Sequence, residues 1–189
     1  MTIGVLALQG AFRAHLSKLE LLGEHGVEVR VPADLEGVKG LIIPGGESTT
    51  ISKLLEISEL FDPIAQELGE GLAVFGTCAG LILLSKQIQD GRPDQRSFGR
   101  LDIDVQRNGY GTQIESFEGD TSIIGMDEPF PTVFIRAPRV SRVGEGVDVL
   151  AEIDGEAVLV REGNALGAAF HPELSQDLRI HELFVESIE

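Results

Sequence analysis

Between Thr2 and Ile88, short apolar runs alternate with stretches in which apolar side chains recur every three or four positions. "TIGVLAL" (Thr2–Leu8) predicts a buried strand. Phe12, Leu16, Leu19 and Leu22 then mark one face of a helix running from Ala11 to about His25, which Gly26 ends. "VEVRV" (Val27–Val31) and "GLIIP" (Gly40–Pro44) predict the next two strands. Ser48 or Thr49 is placed to cap a helix carrying Ile51, Leu54, Leu55 and Ile57, and a further helix is expected across Pro63–Leu68. "LAVFG" reads as a buried strand and Leu81–Ile88 as the helix after it. Apolar strands alternating with amphipathic helices predict an α/β fold, a three-layer α/β/α sandwich on a mostly parallel central sheet.

The texture changes after Gly91. A polar loop, "GRPDQRS", leads into strand candidates at Leu101–Arg107, Val133–Ile135, Val147–Ile153, Ala157–Arg161 and Leu166–Phe170, separated by Gly and Pro. These are expected to extend the sheet and add antiparallel strands. A last helix over roughly Asp177–Ile188 turns Leu183, Phe184 and Ile188 inward. No linker composition interrupts the chain, so residues 1–189 are read as one domain.

Charge narrows the partners. A net charge of -16 and only four lysines disfavour nucleic acid and anionic membranes, which need clustered basic side chains. No apolar run reaches the ~18 residues of a membrane span, and the first residues lack the basic flank of a signal peptide, so a cytoplasmic protein is expected. The acidity fits either a salty cytoplasm or ordinary solubility. A single cysteine excludes an internal disulfide and a cysteine-built zinc site, which leaves the thiol as core filler or as a reagent.

That cysteine lies in Gly76-Thr77-Cys78-Ala79-Gly80, a G-x-S-x-G pattern with sulfur for oxygen, at a predicted strand-to-helix junction. The flanking glycines permit a tight turn, and free N–H groups at the helix start near Ala79 favour a thiolate and a developing oxyanion. His171 follows a predicted strand directly and would emerge at the same carboxyl edge, where open α/β sheets bind ligands. Glu173, two residues on, is placed to orient its imidazole, giving a Cys–His–Glu relay. The remaining histidines, His15, His25 and His181, read as surface or packing residues. The Gly45-Gly46 turn in "IIPGGESTT" is either an ordinary connection or, with Ala79, a source of oxyanion-hole amides. Arg107 and Arg136 are candidates for a substrate carboxylate, although spacing alone does not select them.

The same segments carry a family resemblance. "GVLALQGAFRAH", "PGGESTT", "GTCAGLILL", "RNGYG", "SFEGD", "FIRAP" and "FHPEL" run nearly end to end. In them the chain resembles the class I, triad-type glutamine amidotransferases with a flavodoxin-like fold, in the branch formed by the glutaminase subunits of two-component pyridoxal phosphate synthases. Ile82 stands where many relatives outside that branch have Gln. The resemblance implies Cys78 as nucleophile with His171 and Glu173, and glutamine held by Gly46, Glu47, Ser48, Arg107, Ile135 and Arg136. It implies no metal or organic cofactor, and a ring-shaped synthase partner that receives ammonia. Thr112 departs from the family, which commonly has Arg there. Two rival readings are a stand-alone cysteine hydrolase or deglycase of similar fold, and a catalytically silent partner-binding subunit.

Overall fold

The apolar run at the start of the chain forms β1 (Thr2–Leu6), whose last four residues are fully buried, and α1 (Phe12–Leu21) follows it. Next come β2 (His25–Val29), a 3-10 turn (Pro32–Leu35) and β3 (Gly40–Ile43). Then follow α2 (Ser48–Ile57), α3 (Phe61–Gly69), β4 (Ala73–Thr77) and α4 (Ala79–Leu84). The second half supplies β5 (Ser85–Ile88), β6 (Leu101–Gln106), β7 (Phe117–Thr121), β8 (Phe130–Phe134) and β9 (Arg139–Val143). It ends with β10 (Asp148–Ile153), β11 (Glu156–Glu162), β12 (Ala165–Ala168), a 3-10 turn (Pro172–Leu174) and α5 (Arg179–Glu186). This computed structural model describes residues 1–107 and 117–188.

A seven-stranded sheet in the order β10-β11-β12-β4-β3-β1-β2 organises the molecule. Its parallel part, β2-β1-β3-β4-β12, has the flavodoxin order 2-1-3-4-5, and β11 and β10 join as an antiparallel extension. Side chains alternate across β4. Phe75 meets His15 of α1 and Phe184 of α5 on one face, while a side chain at Gly76 would run into Gly80 and Leu84 of α4 on the other. Every residue of β3 and β4 is buried, as strands covered on both faces require. Each fully buried Leu, Ile, Val or Phe there contributes roughly 1.5–3 kcal/mol, and these strands form the rigid floor beneath their own carboxyl ends.

Three expectations give way. The first helix ends at Leu21, and Gly26, expected to stop it, lies inside β2 paired with Ile3. The apolar run from Leu81 does not remain helical to Ile88: α4 ends at Leu84, and Ser85, in extended conformation, opens β5 beside β6. All residues of α4 are buried, so the helix shows no polar face from which its end can be read. Nor do Ser48 or Thr49 cap α2. Glu47 does, its carboxylate accepting the N–H groups of Thr49 at 3.1 Å and Thr50 at 2.7 Å. Among the described residues no helix is long and apolar enough to cross a membrane.

Candidate active site

Because β4 and β12 are adjacent and parallel, whatever follows each strand leaves the sheet at the same edge. Cys78 follows β4 immediately, and His171 lies three residues beyond the end of β12. The turn at Cys78 is a strained elbow: its φ is 50° and ψ -102°, a region L-residues rarely adopt. The positive φ belongs to the cysteine, not to the flanking glycines, which serve close packing instead. A Cβ at Gly76 would lie 2.6 Å from the Gly80 carbonyl.

Cys78 and His171 converge on the Gly45 turn. A Cβ built there would be 3.3 Å from Cys78 Cβ and 2.5 Å from His171 Cε1. His171 Nδ1 is 2.8 Å from Glu173 Oε1, which leaves Nε2 as the ring nitrogen for the thiol. Burial opposes charge on His171, but its hydrogen bonds to Cys78 and Glu173 outweigh that and raise its pKa to about 10. Glu173 is also buried, yet the His171 hydrogen bond and the neighbouring imidazoles hold it below the usual carboxylate range. The carboxylate and the imidazole are therefore held together by charge as well as by geometry. Cys78 is 6% and His171 9% exposed, so both keep a small opening to the surface.

The other expected site residues surround this centre in different ways. Cys78 Sγ lies 3.9 Å from the Ile135 carbonyl oxygen, on the turn that carries Arg136 in the left-handed region with φ 46°. The Gly45 N–H points inward and donates to Thr77 Oγ1 at 3.1 Å, so in this conformation it is committed to the core. Of the expected oxyanion donors, that leaves the amides of Gly46 and of Ala79, the residue after Cys78. Glu47 keeps an exposed carboxylate that first burial, which raises its pKa, and then its Thr49 and Thr50 hydrogen bonds bring to about 2 overall. Ser48 is buried, with its Oγ accepting from Gln95 Nε2 at 3.0 Å. Arg107 reaches Gln95 Oε1 at 3.2 Å and Glu47 Oε1 at 3.6 Å, which sets its guanidinium over the start of α2. Residues 108–116, including Thr112, lie outside the described residues.

Several participants carry no sequence signal strong enough to select them. Gln9, after β1, accepts the Glu47 N–H through Oε1 at 2.9 Å and ties the first strand's end to the Gly45-Gly46 turn. His15 and His181 are fully buried and lie against one another behind Glu173, which excludes the surface half of their reading and leaves them as packed core groups. Phe12, His15, Leu16 and Leu19 share one helical face, so the inward turn of His15 was available from spacing.

The model of the SNO glutamine amidotransferase family matches residues 5–189. The chain belongs to that family. As an SNO-family chain it is 50% identical over 192 residues to the pyridoxal 5'-phosphate synthase subunit PdxT of Nocardioides sp., covering 99% of this chain and 96% of that protein. It is 51% identical over 186 residues to the protein of the same name from Mycobacteroides abscessus, covering 98% and 96%. A solved structure described as a glutamine amidotransferase superposes with a TM-score of 0.92 at 50% identity over 98% of both chains. The structure of PurLQS from Thermotoga maritima shares the fold, with a TM-score of 0.74 at 16% identity.

Proposed function

We propose that this chain is the glutaminase component of a pyridoxal phosphate synthase, hydrolysing L-glutamine to L-glutamate and passing the ammonia to a synthase subunit. The observation that carries the catalytic assignment is the 2.8 Å contact between His171 Nδ1 and Glu173 Oε1, beside a cysteine held at a strained elbow. Full-length similarity to proteins named as subunits of that synthase supports the partner.

The steps follow from the relay. His171 takes the proton of the Cys78 thiol as the sulfur attacks the side-chain amide carbon of glutamine. The oxygen of the tetrahedral intermediate takes the negative charge and is stabilised by the Ala79 N–H and by an amide of the Gly45-Gly46 turn, with Gly46 the candidate because Thr77 holds the Gly45 N–H. His171 gives its proton to the departing nitrogen, so ammonia leaves and a glutamyl thioester remains. Neutral His171 then takes a proton from water; the hydroxide adds to the thioester, and collapse expels the thiolate with glutamate. Glu173 stays ionised throughout and holds the imidazole. Arg107 supplies a fork for the glutamine α-carboxylate, Glu47 attracts the α-ammonium, and Ser48, Ile135 and Arg136 line the approach, partly through backbone groups.

Ammonia is protonated in bulk water, so transfer needs docking that shields its path. We assign as partner a large, ring-shaped synthase oligomer that bears glutaminase subunits, with both components in the cytoplasm.

The test is glutamate release from glutamine, with and without added synthase subunit. Release is expected to rise on addition of that subunit and to vanish in folded Cys78→Ala. Unchanged release in Cys78→Ala overturns the nucleophile. Turnover of other substrates without glutamine or synthase would favour a stand-alone hydrolase, and no turnover at all a silent binding subunit.

A further inference from the structure

Behind the carboxylate that orients His171 lies a pair of imidazoles that the proposed chemistry does not use. His15 on α1 and His181 on α5 are both fully buried, with Nδ1 of the first 2.9 Å from Nε2 of the second. His15 Nε2 faces Thr77 Oγ1 at 3.3 Å and Glu173 Oε2 at 3.5 Å. That carboxylate oxygen has no hydrogen-bond partner among the described residues, and a buried charged oxygen left alone is costly. The imidazole N–H is the donor next to it.

The protons can be assigned from the whole chain of contacts. Suppose His15 carries its proton on Nε2. Its Nδ1 then accepts from His181 Nε2–H, and the unpartnered atom at the far end, His181 Nδ1, is a bare lone pair. The opposite tautomers would leave a buried N–H unpaired at His181 Nδ1 and press a lone pair of His15 against the Glu173 carboxylate. The first assignment is the one the geometry favours. Burial, then the charges of His171 and Lys18, keep His15 neutral against the pull of Glu173, with a pKa of about 4. Those groups, with His181, are the charged and titratable side chains facing it from α1, α5 and the turn after β12; from β4 it meets Phe75 and Thr77. Lys18, one turn along α1, donates its ammonium to the Ser175 carbonyl and ties the same helix to the chain just past Glu173.

We propose that His15 is a positioning residue for the relay: its neutral imidazole donates toward Glu173 Oε2, fixing the carboxylate and through it His171, while His181 sets the tautomer of His15. This inference rests on the reading of Cys78, His171 and Glu173 given above. Without that donor the carboxylate can rotate, and His171 loses the orientation that aims Nε2 at the sulfur. Thr77 Oγ1, which accepts the Gly45 N–H, joins the same network, so one helix side chain braces both the relay and the glycine turn.

The experiment compares wild type, His15→Leu and His15→Gln as full-length chains assembled with the synthase subunit, measuring kcat and KM for glutamine from pH 5.5 to 9. His15→Leu keeps the volume but donates nothing; it is expected to lower kcat tenfold to a hundredfold, roughly the range for outer partners of oriented site groups. Its KM should stay within about twofold, and the acidic limb of the kcat profile should move to higher pH, because Glu173 has lost a donor that favours its ionised form. His15→Gln, which can donate from its amide nitrogen, should recover most of the rate. A Leu variant within twofold of wild type, or a Gln variant no better than Leu, overturns the role. Should His15→Leu not fold, imidazole 15N spectra of the wild-type chain decide: an Nε2–H neutral His15 from pH 5.5 to 9 is required, and an Nδ1–H or charged ring refutes it. Wild type that releases no glutamate, or Cys78→Ala that releases as much as wild type, is a failure of the underlying assignment, visible without any change at His15, and the positioning role falls with it.

Discussion

A methyl group on Gly80 would sit 2.0 Å from the carbonyl oxygen of Ile43. The helix bearing the first residues after the nucleophile is thus seated directly on the backbone of β3, with no room for any side chain between them. Backbone atoms cannot rotate aside as a flexible side chain does. Gly80→Ala is therefore expected to lift α4 and to destabilise the fold by about 3 kcal/mol or more. Gly69→Ala is the control: nothing lies within 4 Å of its Cβ, and that variant should be neutral or slightly stabilised. Urea unfolding of both variants checks the contrast, and equal midpoints would refute it.

Gly45 meets a movable neighbour instead. Its Cβ would come within 2.5 Å of His171 Cε1, and the imidazole can yield by turning. Gly45→Ala should leave the melting temperature within a few degrees of wild type while lowering glutamine turnover roughly a hundredfold, the usual cost of an ångström of misplacement at a reacting group. A folded variant with normal kcat would show that the imidazole has another place to work from.

The strain at Cys78 gives a prediction about stability with activity already lost. Alanine in its place keeps the unfavourable backbone, whereas glycine relaxes it at some entropic cost. Cys78→Gly should be more stable than Cys78→Ala by on the order of 1 kcal/mol. The difference in denaturant midpoint measures it, and a more stable alanine variant would mean the elbow is not strained.

Stability should also pass through a maximum near neutral pH. Burial lowers the pKa of His15 from 6.5 to about 4, so between those values the unfolded chain binds the proton that the folded one refuses, and stability falls as pH drops through the window. For a group this deeply buried the loss is about 3 kcal/mol. His181 acts in the same direction, again because burial lowers its pKa, and Glu173 adds to the loss below its unfolded value. On the alkaline side His171 has the opposite sign. Its raised pKa contributes stability that is complete below 6.5 and disappears as pH rises toward about 10. Urea midpoints at pH 4.5, 6.5 and 9 should be lower at both ends, and His15→Gln should flatten the acid side. A midpoint unchanged from pH 6.5 to 4.5 would contradict the burial of these rings as neutral groups.

The elements that the sequence made legible are those with a local cause. β1, β3 and β4 announce themselves by continuous apolar runs, and α1 and α2 by one-sided periodicity. Cys78 and His171 were readable because each directly follows such a run. β7 and β9 escaped because the first exposes four of its five residues and the second alternates only weakly, so neither shows an apolar face. The pairing of His15 with His181 spans 166 positions and exists only once α1 and α5 share a face of the sheet, a relation that no local pattern encodes. The direction of the Gly45 N–H is likewise a property of the folded turn, since Thr77 becomes its acceptor only when β3 and β4 lie side by side.

The strand that delivers the imidazole is not at the rim of the sheet but in its interior, with β4 on one side and β11 on the other. A chain emerging from the ribosome thus presents its sulfur long before the partner needed to arm it, and that partner arrives only when β12, more than eighty residues downstream of Cys78, takes its place between β4 and β11. Competence for the reaction is coupled to completion of the core, so an unfinished or truncated molecule carries an idle thiol rather than a stray source of ammonia.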